Sequence, residues 1–347
     1  MDGNLEGSKT IHQGIALLRI PLALLVVYNH APSKGNATLP FWLQHSFDLL
    51  CVTAVPCFVL MSFFLIAPAF LQGAPIGQTQ LFKRLKRLLV PFIGWSIVGF
   101  LAYPKKISPV NIAFQILFGS VVNSPLYYLA IVIYSVALLS MLTWAKTTFR
   151  MIIMATVLLC CFALEHTELN YEVFSSLPES SRYTLGRFCE LFPYAVAGIF
   201  LRRFFDMRQC FDAAYRPKLW YWAIIISALA AGAALWSKLP VSGFGYQGIG
   251  LALFTCSVFS AFLVQPNARM AKVVPKLLMS ISSVSLGVFC SHYIVNRIIR
   301  SWFGSSAIYE SLTSIPFIYG LLLFLCSVFL CLKIKNSFDG KLADFVS

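Results

Sequence analysis

The sequence predicts an all-α protein, a polytopic bundle of about ten transmembrane helices that forms one domain over residues 1–347. The chain is 59% hydrophobic and only 12% charged, whereas soluble domains carry about 25% charged residues. Its mean hydropathy is +0.77. The charged residues stand in short clusters between long apolar runs, which is the pattern that membrane topology produces.

Ten apolar segments can be drawn as membrane helices. They span roughly residues 14–32, 47–70, 88–104, 126–144, 150–165, 186–204, 219–237, 244–264, 277–296 and 312–332. A weaker apolar piece precedes the fourth segment and predicts a re-entrant or interfacial helix at 110–122. Proline and glycine occur inside several segments, and membrane helices tolerate both.

The basic residues predict the orientation of the bundle. If the N-terminus lies in the cytoplasm, eighteen of the 27 lysines and arginines fall on the inner side and eight on the outer side. Cytoplasmic loops are enriched in these residues, so we expect cytoplasmic tails at 1–13 and 333–347. The net charge of +14 is spread over the loops instead of forming one patch, which argues against nucleic-acid binding.

The first segment carries unusual polar residues, namely Arg19, Asn29 and His30. At about 100° and 1.5 Å per residue, His30 shares a helix face with Arg19 and lies roughly 16 Å further along the axis. A charged group at membrane depth is costly, so it usually marks a functional path. The alternative is that the two side chains snorkel to opposite interfaces.

A second polar cluster precedes the third segment. Arg84 and Arg87 are three residues apart and therefore share a helix face, at the predicted cytoplasmic mouth. Guanidinium groups bind phosphate bidentately, so the pair is a candidate site for a phosphorylated cytosolic ligand. From composition alone, an ordinary anchor that binds anionic lipid headgroups is the favoured alternative.

Other polar residues inside apolar segments have two interpretations each. Glu190 is a candidate site carboxylate, but Arg187 one turn earlier would neutralise it. His292 suits a packing role as well as a site role, and Tyr127 and Tyr128 first indicate an interfacial aromatic belt. The ten cysteines form no CxxC pair or Cys/His cluster, so we expect no metal site.

These elements are similar, in order and spacing, to the acyltransferase 3 family of integral membrane acyltransferases, which O-acetylates bacterial surface polysaccharides. The resemblance covers essentially the whole chain, and the length resembles the stand-alone type. It is carried by Arg19 and His30 in the first segment, VPCFVLMS at 55–62, the Arg84/Arg87 pair, LYYLAIVI at 126–133 and SLGVFCSHYIV at 285–295.

The resemblance implies a role for the matching residues. His30 matches the essential histidine of the family, Arg19 matches its partner, and the Arg84/Arg87 pair matches the element linked to the cytosolic acyl donor. With Glu190 as a further candidate, these form the predicted catalytic and donor-binding set. The candidate residues that line the acceptor site or pocket are Asn29, Ser62, Tyr127, Tyr128 and His292.

Two positions depart from the family pattern. The usual Ser-Gly after the phenylalanine run of the second helix is Ser62–Phe63 here, and a common Trp-Phe pair in the fourth helix is Tyr127–Tyr128. The histidine and arginine elements are intact. We therefore expect the pocket to differ in detail, including in the choice of acceptor.

The implied function is transfer of an acetyl group from acetyl-CoA, as donor substrate, to a sugar hydroxyl of a cell-surface polysaccharide or its lipid-linked precursor. We expect no bound cofactor and a location in the inner membrane of a bacterium, among membrane lipids. The residues alone leave open a proton- or anion-coupled transporter and a non-catalytic polysaccharide export protein. Against the transporter, the sequence shows no repeated pair of broken helices.

Overall fold

The computed structural model describes residues 3–31, 41–104, 107–119, 125–166, 179–211, 226–227, 249–263 and 276–337. Within these ranges the chain contains twelve helices and no β-strand, which confirms the all-α prediction. In chain order they are α1 (Gly3–Asn29), α2 (Phe41–Gln72), α3 (Ile76–Ala102), α4 (Pro109–Phe118), α5 (Leu126–Leu142), α6 (Thr147–His166), α7 (Glu179–Phe211), α8 (Ile249–Leu263), α9 (Lys276–Ser283), α10 (Ser285–Phe303), α11 (Ala307–Thr313) and α12 (Pro316–Ser337).

Several of these helices have the length and composition to cross a membrane. Four qualify within the described residues, and a bent pair makes a fifth if it is one span. Five further helices are apolar but shorter, with 10–17 residues each. The prediction of about ten spans is therefore not confirmed. The four long spans are Ser46–Gln72, Ile76–Ala102, Thr184–Phe204 and Pro316–Ser337.

The helices overlap the predicted apolar segments, with three exceptions, the last of which is the segment at 277–296. The predicted segment at 219–237 lies outside the described residues except for 226–227. The short helix α11 was not predicted, because its seven residues, AIYESLT, show no sustained apolar run. Ser306 caps it by accepting a hydrogen bond from the Tyr309 N–H at 3.2 Å.

The predicted segment at 277–296 is not one straight helix. α9 ends at Ser283 and α10 begins at Ser285, and the two axes are bent by 64°. The Val284 N–H donates to the carbonyl three residues earlier at 3.1 Å, which tightens this turn. The Ser283 hydroxyl donates to the carbonyl of Ser280 at 2.7 Å. Serine side chains that bond the backbone compete with the helical ladder, which accounts for the break.

The helices fall into two compact units, divided inside α2 between Phe58 and Val59. In the first unit, α1 packs against α8, α9, α10 and α12. A Cβ atom on Gly320 of α12 would lie 3.3 Å from the Tyr28 Cα atom. This glycine therefore permits a close approach of α12 to the last turn of α1, and it fixes the position of the residues that follow Tyr28.

The second unit contains the rest of α2 and the helices α3–α7. α3 packs along α5, α6 packs along α7, and α4 contacts α3, α5 and α7. Ser108 caps α4 by accepting a hydrogen bond from the Asn111 N–H at 3.1 Å. Gly119 ends it with a φ of 72°, a left-handed conformation that favours glycine.

Arg150 at the start of α6 is buried inside the second unit, although the charge count assigned it to the cytoplasmic surface. Its guanidinium group donates to the carbonyl of Phe70 and, at 3.0 Å, to the hydroxyl of Thr147. It also lies 5.4 Å from the centroid of the Phe70 ring. Because Phe70 is in the last turn of α2, Arg150 satisfies a terminal carbonyl of that helix.

The contact between α2 and α7 depends on the absence of a side chain at Gly198. A Cβ atom there would lie 2.4 Å from the Leu60 carbonyl oxygen and 3.0 Å from the Phe64 nitrogen. We expect Gly198→Ala to destabilise the protein by about 1–3 kcal/mol, because backbone atoms must move apart. Thermal unfolding followed by size-exclusion chromatography in detergent measures the effect.

Gly186 provides the matched control on the same helix, since among the described residues no atom beyond its chain neighbours and the local helix backbone lies within 4 Å of a Cβ atom built there. Gly186→Ala should leave the melting temperature unchanged or raise it, because alanine has the higher helix propensity. Equal melting temperatures for the two variants would contradict the close packing at Gly198.

Candidate functional site

His30 lies one residue beyond α1, at a turn that the sequence predicted as the end of the first membrane helix. Its backbone N–H donates to the Val27 carbonyl at 3.1 Å, and the Ala31 N–H donates to the Tyr28 carbonyl at 3.0 Å. The His30 side chain is half-buried. It is therefore accessible to a ligand while its backbone stays attached to the helix that lies against α12.

His292 of α10 is fully buried and faces His30. The centroids of the two rings are 5.2 Å apart and the ring planes are tilted by 35°. Phe289, one turn before His292 on the same helix, lies 6.3 Å from it in an edge-on arrangement. The two histidines, which are far apart in sequence, thus form one histidine pair in the first unit.

The contacts of His292 define the form of its imidazole. Nδ1 lies 3.3 Å from the Val288 carbonyl oxygen, and a carbonyl can only accept, so Nδ1 carries the hydrogen. In the neutral ring, Nε2 then holds a lone pair. Nε2 is buried and makes no hydrogen bond to any described residue. Such buried polar atoms are rare and call for an explanation.

The two other candidates on α1 are not part of this contact. Arg19 is half-buried, and its position eleven residues earlier puts it roughly 16 Å from His30 along the helix axis. Asn29 is exposed. Arg19 does not belong to the histidine pair, and its place on one stripe with His30 stays a prediction.

In the second unit, Ser62 and Tyr128 form a buried pair of hydroxyl groups. Their oxygen atoms are 3.2 Å apart, and either group can donate. Ser62 is 8% exposed, Tyr127 4% and Tyr128 3%. The interpretation of the two tyrosines as an interfacial belt is therefore wrong. They begin α5, and the packing of α3 along α5 covers this end of the helix.

Arg84 lies on α3, which packs along α5, the helix of Tyr128, and the two side chains interact electrostatically. It is half-buried, and its buried Nε atom has no hydrogen-bond partner within the described ranges. Arg87 is exposed one turn later. The two arginines thus share a helix face but differ in environment. Of these two arginines, Arg84 is the one with a buried N–H group that lacks a partner among the described residues.

Glu190 of α7 is engaged by the neighbour that the sequence identified. Its carboxylate accepts a hydrogen bond from the Arg187 guanidinium at 2.6 Å. The Glu190 side chain is 13% exposed and the Arg187 side chain is 21% exposed. The carboxylate is therefore neutralised locally. A role for Glu190 in catalysis stays a prediction, and its carboxylate is engaged in this ion pair.

An apolar groove in the second unit contains none of the predicted site residues. It has a volume of about 680 Å³ and is lined by α3, α4 and α5. Its polar residues are occupied within the protein, since the Gln115 side-chain amide donates to the Ser96 hydroxyl at 3.0 Å. The described residues also contain no group of three or more histidine, cysteine or acidic side chains that could hold a metal ion.

The described helices and the polar groups inside them define an all-helical membrane protein. It contains the histidine pair and an arginine–hydroxyl cluster, which consists of Arg84, Arg87, Ser62 and Tyr128. The acyltransferase domain family, acyltransferase 3, matches residues 12–334, nearly the whole chain. The protein therefore belongs to this family of membrane acyltransferases. No curated protein and no solved structure matches the chain significantly.

Proposed function

We propose that this membrane acyltransferase transfers an acetyl group from cytosolic acetyl-CoA to a sugar hydroxyl of a cell-surface polysaccharide or its lipid-linked precursor. The family match over residues 12–334 carries the proposal, because it supports acyl transfer within a membrane protein. The acetyl donor and the glycan acceptor are what the proposal adds.

The donor is assigned to the arginine–hydroxyl cluster. Acetyl-CoA carries phosphate groups, and guanidinium groups bind phosphates through charge-assisted hydrogen bonds. Arg84 offers a buried N–H group that lacks a partner among the described residues, and Arg87 adds an exposed charge on the same face. The hydrogen-bonded hydroxyl groups of Ser62 and Tyr128 add polar atoms to the same unit.

The chemical step is assigned to His30. A sugar hydroxyl is a poor nucleophile at neutral pH, and a base that removes its proton during attack accelerates the reaction. Histidine suits this role because its ordinary pKa lies close to the working pH. We propose that Arg19, on the same stripe of α1, lines the path of the donor. The acyl group then passes directly from acetyl-CoA to the activated hydroxyl.

Label transfer tests the proposal. Membranes that contain the wild-type protein are incubated with acetyl-labelled acetyl-CoA, and the surface glycan fraction is assayed for alkali-labile label. In cells, the O-acetyl content of the surface glycan should be lower without the gene than with it. Flux of a solute across the membrane without covalent change, in the absence of label transfer, would instead favour a transporter and overturn the proposal.

We further propose a location in the bacterial inner membrane with both termini in the cytoplasm, supported by the distribution of the basic residues. Single cysteines at Lys34 and at Asn336, in a background whose own cysteines are replaced, test this orientation. An impermeant thiol reagent added to intact cells should label the first site only. Labelling at Asn336 from outside would contradict the orientation.

A further inference from the structure

We infer that His292 is a positioning residue for the transfer reaction. Its Nε2 atom accepts a hydrogen bond from His30 while His30 holds the proton of the acceptor hydroxyl. The inference rests on the proposed role of His30 as the base, and it assigns the partner of that base. Three observations in the first unit carry it, namely the separation of the rings, the burial of His292 and the state of its two nitrogen atoms.

The separation of the rings permits the contact. With 5.2 Å between the centroids, the rings are within reach of a single N–H···N hydrogen bond. His30 is half-buried, whereas His292 is fully buried and its Nδ1 is held by the Val288 carbonyl. The His292 ring therefore sets the direction from which His30 would be bound.

The nitrogen atoms give His292 the role of acceptor. Because Nδ1 donates to Val288, the neutral ring presents the lone pair of Nε2, and this atom lacks a partner among the described residues. An ordinary packing histidine would have both nitrogen atoms satisfied. His292 is also a poor site for the proton itself, since a charged imidazole that is fully buried beside a second histidine is costly.

The reaction can be balanced with His292 neutral throughout. The acceptor oxygen attacks the thioester carbonyl, and its proton passes to the unprotonated nitrogen of the His30 imidazole. A carbon–oxygen bond forms and the carbon–sulfur bond breaks. His30 then returns the proton to the leaving thiolate of CoA. During the step His30 is an imidazolium with two N–H groups, and a charge-assisted hydrogen bond to Nε2 stabilises it.

Two substitutions separate this role from packing. His292→Phe keeps a ring of similar size but has no acceptor, whereas His292→Gln keeps a side-chain oxygen that can accept. We expect the Phe variant to lose about 10- to 100-fold in kcat, the range for one hydrogen bond to a charged group. The KM for acetyl-CoA should be unchanged, and the Gln variant should recover part of the loss.

The double variant with His30→Ala gives a second readout. If His292 acts through His30, adding His292→Phe should lower the residual rate no further, because the interaction is already gone. Melting temperatures in detergent identify a variant that fails to fold. In that case the Gln variant and its double variant with His30→Ala provide the same comparison.

Full activity in the folded Phe variant would overturn the inference. Equal losses in the folded Phe and Gln variants, or a full additional loss in the His30→Ala background, would also do so, because each indicates a purely structural effect. Absence of acetyl transfer by the wild-type protein would instead count against the proposed function, so the two failures are distinguishable.

Discussion

His30→Ala should lose nearly all acyl transfer while the folded membrane protein persists. A well-placed general base contributes about 10²–10⁴ in rate, and the His30 side chain is half-buried and accessible to a ligand. Its backbone is held by hydrogen bonds that do not involve the side chain. Removing the imidazole should therefore affect chemistry more than folding. Initial rates of label transfer from acetyl-CoA, at equal amounts of protein in the membrane, measure the effect.

His30→Gln is the informative companion variant. Glutamine can still form hydrogen bonds, but it cannot take up a proton at neutral pH, so its transfer rate should fall as far as that of the alanine variant. Binding of CoA to both variants should be retained, because the donor is assigned to other residues. A transfer rate within tenfold of the wild-type value would mean that another residue is the base, with Glu190 and His292 the next candidates.

The helices were the most predictable part of the protein, because long apolar runs leave few alternatives for the backbone in a membrane. The number of full spans was less predictable, since composition does not reveal where a run is broken. The bend between α9 and α10 depends on hydrogen bonds from Ser283 and Val284, which involve local geometry within an apolar stretch. The single domain over 1–347 stays a prediction.

The candidate site could be predicted residue by residue but not as an arrangement. Polar side chains in apolar runs marked both His30 and His292, yet nothing in the sequence indicated that their rings would meet. The pairing of Ser62 with Tyr128 could not be predicted either, because the two residues are 66 positions apart in the chain and lie on different helices. The tyrosines were assigned to an interface because their position at a segment end is typical of one. In the structure, both tyrosines are instead buried by the packing of neighbouring helices.

Arg84→Ala should weaken donor binding substantially, and more than Arg87→Ala. A hydrogen bond to a charged group contributes about 1.5–3 kcal/mol, and Arg84 has a buried Nε–H that a phosphate of CoA would satisfy. Arg87 is exposed, so water competes with its contacts and its loss should cost less. Arg84→Lys should not restore affinity, because an ammonium lacks the planar, bidentate geometry of guanidinium. Binding of CoA to purified protein in detergent measures all of these effects.

Lys83 and Lys86 provide the matched controls, since both are exposed cations on the same helix as Arg84. If the cluster only attracts anions or anchors the protein to lipid headgroups, each lysine-to-alanine change should weaken CoA binding as much as Arg84→Ala does. Specific recognition predicts a graded order instead, with Arg84 first, Arg87 second and the lysines close to the wild-type affinity. Unchanged affinity for CoA in a folded Arg84→Ala/Arg87→Ala double variant would contradict donor binding by this pair. The two arginines would then be an anchor to lipid headgroups, and the burial of Arg84 would reflect packing alone.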